Sequence, residues 1–155
     1  MAKNAADHPA LILASSSPRR SELLRQVGVD FRVVVADVDE SVHPGEAPAD
    51  YVLRVARDKV LTVQRREACA LPVLGADTTV VLDGRILGKP DDRAGAAAML
   101  ACLSGRTHEV YSAVALARGP RGVDHRLNVT RVTFAPLEPG WIEAYIDTGD
   151  PMDKA

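Results

Sequence analysis

Apolar residues along this chain gather in short runs whose spacing switches repeatedly between that of strands and that of helices. Residues 11–14, Leu-Ile-Leu-Ala, read as a buried strand, and residues 21–27 carry helical spacing, with Leu23, Leu24 and Val27 apolar and Gly28 supplying the stop. A β-branched run over residues 31–35 predicts a second strand, which delivers Asp37, Asp39 and Glu40 into a loop marked out by Pro44, Gly45 and Pro48. A long helix is expected over residues 49–67, with Tyr51, Val52, Val55, Val60 and Val63 approximating one apolar face and Lys59 in its middle. Residues 72–76 form a short apolar segment ending at Asp77, and residues 78–82 resume as β-branched sequence before Asp83-Gly84, a strong hairpin signal. Asp91 or Asp92 can cap the next helix, whose alanine-rich body favours helix strongly and which ends at Ser104-Gly105. Residues 107–117 and 122–134 read as two long strands, and a last helix is expected over residues 138–147.

The resulting order, β-α-β-α-β-β-α-β-β-α, combines crossovers with hairpins and predicts an α/β protein with a mixed sheet flanked by helices. In such a fold ligands collect at strand ends facing the loops, and Ser15, Glu40, Asp77 and Lys89 are all expected there. Residues 1–10 read as a disordered tail and residues 11–155 as a single domain.

Composition removes several function classes. A chain of 155 residues suffices for one real core. Aromatic residues make up only 4%, too few for a stacking platform on single-stranded nucleic acid, and a net charge of −2 opposes wrapping duplex phosphates. Cys69 and Cys102 are isolated, with no spacing suited to zinc, and read as reduced core residues. No apolar run approaches the ~20 residues that span a bilayer, so a cytoplasmic protein is expected.

The chemistry begins at Ser15-Ser16-Ser17-Pro18-Arg19-Arg20, where a strand turns into a helix. Ser17 is placed to cap that helix and Pro18 to occupy its first position, where a missing N–H costs nothing. Arginine at the positive end of a helix is electrostatically odd, and a bound anion would resolve the conflict. Ordinary capping with solvated surface arginines is the competing explanation. Gly88-Lys89 lacks the upstream glycine of a P-loop, since that position is Asp83. What remains is a dispersed set of cations, Arg19, Arg20, Lys59 and Lys89, with the carboxylates Glu40 and Asp77. Asp77 stands out, because a carboxylate between two buried segments needs a partner.

Taken in order, Ser15-Ser16-Ser17-Pro18-Arg19-Arg20, Asp39-Glu40, Lys59, Gly75-Ala76-Asp77-Thr78, Gly88-Lys89-Pro90 and Ser104-Gly105-Arg106-Thr107-His108 closely resemble the Maf family, the septum-formation-associated nucleoside triphosphate pyrophosphatases. The resemblance runs from residue 11 onward. It implies a fold like that of inosine triphosphate pyrophosphatases and cleavage of a nucleoside triphosphate to the monophosphate and pyrophosphate. It also implies Asp77 as general base, a nucleotide held by Ser15, Arg19, Glu40, Lys59, Thr78 and Lys89, and a Mg2+ or Mn2+ ion on Glu40 and Asp77. Within the family, Asp77-Thr78 and the ending Gly149-Asp150-Pro151-Met152-Asp153-Lys154-Ala155 look like the branch acting on dTTP and UTP. Arg19 and Thr78 match two positions linked to that choice, and the third, a glutamine, is expected beyond Ala155, in a C-terminal part that this chain lacks. Of the arginine pair, Arg19 is expected to contact nucleotide and Arg20 to face solvent. The partners implied are a nucleoside triphosphate and a second copy in a homodimer, with neither nucleic acid nor membrane. The alternative function is a nucleotide-binding regulator of cell division without turnover.

Overall fold

The computed structural model describes residues 9–68 and 70–152. Most of the expected tail, Cys69 and the final Asp153-Lys154-Ala155 therefore lie outside the described residues. The elements are β1 (Leu11–Leu13), α1 (Pro18–Gln26), β2 (Phe31–Val33), α2 (Pro48–Glu67), β3 (Val73–Leu82), β4 (Arg85–Leu87), α3 (Arg93–Leu103), β5 (Thr107–Ala117), β6 (Val123–Thr133) and α4 (Pro139–Asp147), with single 3-10 turns at Gly119–Arg121 and Asp150–Met152. The six strands form one sheet in the order β2-β1-β3-β5-β6, with β4 on β3. β1 runs parallel to both β2 and β3, whereas β4 returns antiparallel to β3, so the sheet is mixed as the element order predicts.

Local sequence explains most boundaries. Asp83 and Gly84 both take positive φ, 50° and 77°, the backbone that a two-residue hairpin between twisted strands requires. Asp92 caps α3 by accepting the Gly95 N–H at 2.7 Å. The cap of α1 differs from expectation: Ser17 holds the N-cap position with Pro18 inside, yet its side chain makes no capping bond. Ser15 intervenes instead, its Oγ accepting the Ser17 N–H at 3.2 Å.

The described chain forms two compact units. The residues up to Asp77, with Ala113–Leu127, make up the first, and Thr78–Ser112 with the residues from Asn128 onward the second. In the first, α2 buries Val52, Val55, Ala56, Val60 and Val63 completely, and Ile12, Leu13 and Val73 join the same core. Each valine, leucine or isoleucine among them contributes about 1.5–3 kcal/mol on burial. Of its strands β1 is buried on both faces, as befits an interior parallel strand. In the second unit α3 packs on α4 through Ala96, Ile142 and Ile146. Arg93 bridges to Glu143 and Asp147 across these helices, but all three are well exposed, and such pairs contribute little.

Two expectations are corrected here. Asp77 does not end a strand: it lies inside the ten-residue β3, where Val73, Gly75, Asp77, Thr79 and Val81 alternate onto one buried face. Cys102 is exposed rather than in the core. On the nearly continuous apolar and alanine sequence of α3, no polar stripe marks which side faces out.

Candidate active site

β1 and the turn after it set up the first wall. Ser15 follows the buried strand end and is 6% exposed, and its Oγ also accepts Arg20 Nη1 at 3.0 Å. The first turn of α1 contains no acidic residue, so its free N–H groups and the arginines face no side-chain anion of their own turn. Arg19 is exposed, whereas Arg20 is partly buried, contrary to the expectation that it faces solvent. Burial lowers the pKa of Arg20, and the negative charges of Asp77 and Glu40 oppose that shift. Successive helix residues point about 100° apart, so only one of two adjacent arginines can turn inward, and composition does not say which.

The centre belongs to α2 and β3. Lys59 lies in the buried stripe of α2, 9% exposed, and its Nζ donates to Asp77 Oδ1 at 3.1 Å and meets Glu40 Oε1 at 2.9 Å. One ammonium therefore joins two carboxylates from different elements. Asp77 is 7% exposed, and burial pushes its pKa above the ordinary 3.8 despite the opposing Lys59 charge and hydrogen bond. The negative charge of Glu40 adds to the rise, and Arg20 works against it.

Gly75 brings these elements close enough. A Cβ there would lie 2.7 Å from Val60 Cγ1 and 3.1 Å from the Ala56 carbonyl oxygen, with Lys59 Cβ at 3.5 Å. The glycine lets α2 settle onto β3 at the turn that carries Lys59. Gly75→Ala is accordingly expected to destabilise the protein by about 1–3 kcal/mol through overpacking. Urea unfolding measures this, and an unchanged midpoint would refute the close-approach role.

The remaining sequence-predicted residues are placed by their own elements. Thr78 projects from the opposite face of β3, with Oγ1 3.4 Å from Ser112 Oγ. Lys89 is exposed beyond β4, and neither it nor Arg19 has an ion-pair partner among the described residues. His108, the last residue of the Ser-Gly-Arg-Thr-His motif, is 4% exposed and meets the Phe134 ring edge-on at 4.8 Å. Its pKa is lowered by burial, which favours the neutral ring.

Sequence reasoning missed Arg20 as an inward group, and missed Tyr51 and Arg54, which hold the loop carrying Glu40. A glycine inside a strand, as at Gly75, was the one local signal of close approach.

Among the described residues no three His, Cys, Asp or Glu side chains gather to form a metal cage. Glu40 and Asp77 nonetheless supply hard oxygen donors that meet at the same Lys59 ammonium. Mg2+ commonly needs only one or two carboxylates when substrate phosphates and water complete its shell, so the pair fits that kind of site.

Comparison with known proteins bears on this geometry. A family model described as Maf-like protein matches residues 10–155. A dTTP/UTP pyrophosphatase of Methylobacillus flagellatus is 51% identical over 94% of this chain and 73% of its own length. One of Symbiobacterium thermophilum is 55% identical over 94% of this chain and 74% of its own. Among solved structures, a nucleoside-triphosphatase / dITP/XTP pyrophosphatase from Mycobacterium abscessus aligns with a TM-score of 0.50 at 23% identity, covering 79% of this chain and 73% of that one. At that identity the likeness concerns the fold.

Proposed function

The chain belongs to the Maf-like protein family, and on that premise we propose that it is a nucleoside triphosphate pyrophosphatase that hydrolyses dTTP and UTP to the monophosphate and pyrophosphate, clearing such nucleotides from the pool. The observation that carries this reading is the buried Lys59 ammonium held between Asp77 and Glu40. A carboxylate whose pKa is raised by burial, yet oriented by a cation, is a stronger base than an ordinary carboxylate and suits proton transfer from water. In this mechanism Asp77 takes a proton from water as its oxygen bonds to the α-phosphorus. The bond from that phosphorus to the bridging oxygen breaks, and pyrophosphate leaves with the electron pair.

Lys59 keeps Asp77 oriented and partly offsets the cost of ionising it. Ser15 orients Arg20, and Arg19, Arg20 and Lys89 are the cations assigned to the triphosphate and to the charge that grows on the leaving group. Thr78 is assigned to nucleotide recognition. Mg2+ or Mn2+, when bound, supplies further charge neutralisation, and Glu40 with Asp77 are the residues that would hold it. Among the described residues no helix is long and apolar enough to cross a membrane. The low aromatic content and the net charge of −2 support free nucleotides over nucleic acid as partners. A cytoplasmic homodimer completes the reading.

The direct test separates the products of dTTP and UTP incubated with Mg2+. Monophosphate plus pyrophosphate is expected, whereas diphosphate plus orthophosphate would exclude this cleavage, and tight binding without turnover would favour a regulator. The pH profile adds a sign. Because the folded-state pKa of Asp77 is raised, kcat/KM should fall on the acid side through a value above 3.8. The stability effect of the same group runs the other way: it is fully present below the unfolded pKa and is lost as pH rises through the folded one.

A further inference from the structure

Glu40 lies outside every helix and strand, and its side chain is 49% exposed, so neither burial nor a backbone ladder explains why its carboxylate meets Lys59. The explanation lies in three consecutive carbonyls. The Asp39 carbonyl accepts Arg54 Nη1 at 3.4 Å, the Glu40 carbonyl accepts the Tyr51 hydroxyl at 2.9 Å, and the Ser41 carbonyl accepts Arg54 Nη2 at 2.8 Å. Arg54 also grips the far end of the same loop, with Nε and Nη2 donating to the two Glu46 carboxylate oxygens at 2.5 and 2.9 Å. Glu46 in turn accepts the His43 N–H at 3.0 Å, and the Asp39 carboxylate accepts the Ser41 N–H at 2.9 Å. The Arg54 guanidinium lies 5.6 Å from the Tyr51 ring centroid, so the two grips brace one another.

Tyr51, Arg54 and Lys59 all belong to α2, and the first and last lie eight residues apart, close to two turns, on its buried side. We infer that Tyr51 and Arg54 are positioning residues that latch residues 39–46 onto α2 and thereby hold the Glu40 carboxylate against the Lys59 ammonium. The inference rests on the proposed function for its kinetic consequence but not for the latch itself. A guanidinium suits the task better than an ammonium, because its planar fork can serve a carboxylate and two carbonyls at once. Hydrogen bonding to Arg54 holds the Glu46 carboxyl down to about 2, so the carboxylate that Arg54 grips is ionised at neutral pH.

The test uses the whole chain and two readouts. Amide hydrogen exchange of Arg54→Met should quicken over residues 39–46 while α2 and β3 keep their protection. Unchanged exchange there would overturn the latch, whatever the enzyme does. In steady-state kinetics with dTTP, Arg54→Met is expected to lower kcat/KM by about 10- to 100-fold, the scale of a misplaced catalytic group. Tyr51→Phe, which loses one hydrogen bond, should cost less, and Arg54→Lys should rescue only partly. If Arg54 acts through Glu40, its loss should add little once Glu40→Gln is already present. Full additivity in that double variant would overturn the positioning role, as would a loosened loop with unchanged kinetics. Should the unaltered protein turn over no triphosphate, the functional reading fails and the exchange result still decides the latch.

Discussion

Replacing Asp77 with asparagine is expected to cut pyrophosphate release from dTTP and UTP by about 10²- to 10⁴-fold, the range of a lost general base. The protein should retain its fold and be at least as stable. Asparagine keeps the shape and the oxygen that accepts from Lys59, but it cannot take a proton from water. The stability expectation follows from the raised pKa of Asp77: burial outweighs the stabilisation that Lys59 and Arg20 give the charged form, so ionised Asp77 is held in an environment that disfavours it. Removing that charge removes the conflict. Thermal melting and single-turnover assays on one preparation decide the matter, and turnover within a few-fold of the unaltered protein would disqualify Asp77 as the base.

Lys59→Met should produce a loss of comparable size with a different pH signature. Methionine preserves much of the apolar stem and removes the ammonium, leaving Asp77 and Glu40 facing each other without their shared counter-ion. Breaking a buried pair typically costs about 3–5 kcal/mol, and the lower end is expected because Glu40 is half-exposed and Asp77 can take up a proton. That proton uptake is the diagnostic. Without Lys59 the Asp77 pKa should rise further, so the residual activity of Lys59→Met should climb with pH across the alkaline side. Asp77→Asn should show no such recovery. If Lys59 served only to bind phosphate, KM would rise while the acid limb stayed in place.

These effects could be anticipated unevenly from sequence. The caps and turns were legible because their causes are local: Asp92 caps α3, Asp83-Gly84 turns the hairpin, and β5 spans the residues 107–117 read as a strand. Asp77 was misplaced at a strand end because a carboxylate interrupts an apolar run. What permits it inside β3 is an ammonium 18 residues upstream, a partner that no local window contains. The same holds for Arg54 and Tyr51, whose bonds go to backbone carbonyls 11 to 15 residues away and leave no mark on side-chain periodicity. Arg19 and Arg20 were both legible as cations, but the phase of a nine-residue helix decided which one turned toward Ser15. Of the candidate set, the structure joins Glu40, Lys59 and Asp77 directly and ties Ser15 to Arg20.

Two cations and two carboxylates act on one another in the first unit, with a consequence for how the protein would meet a polyanion. Arg20 and Lys59 together offset Glu40 and Asp77, so this interior is close to electroneutral before anything binds. On the proposed function, long-range attraction of the triphosphate would fall to exposed cations such as Arg19 and Lys89. Those act through solvent and weaken as ionic strength rises, whereas the buried Lys59–Asp77 pair is screened much less. On the same reading, capture and chemistry would be governed by separate sets of charges, so that raising ionic strength should slow nucleotide arrival more than it disturbs the Lys59–Asp77 pair.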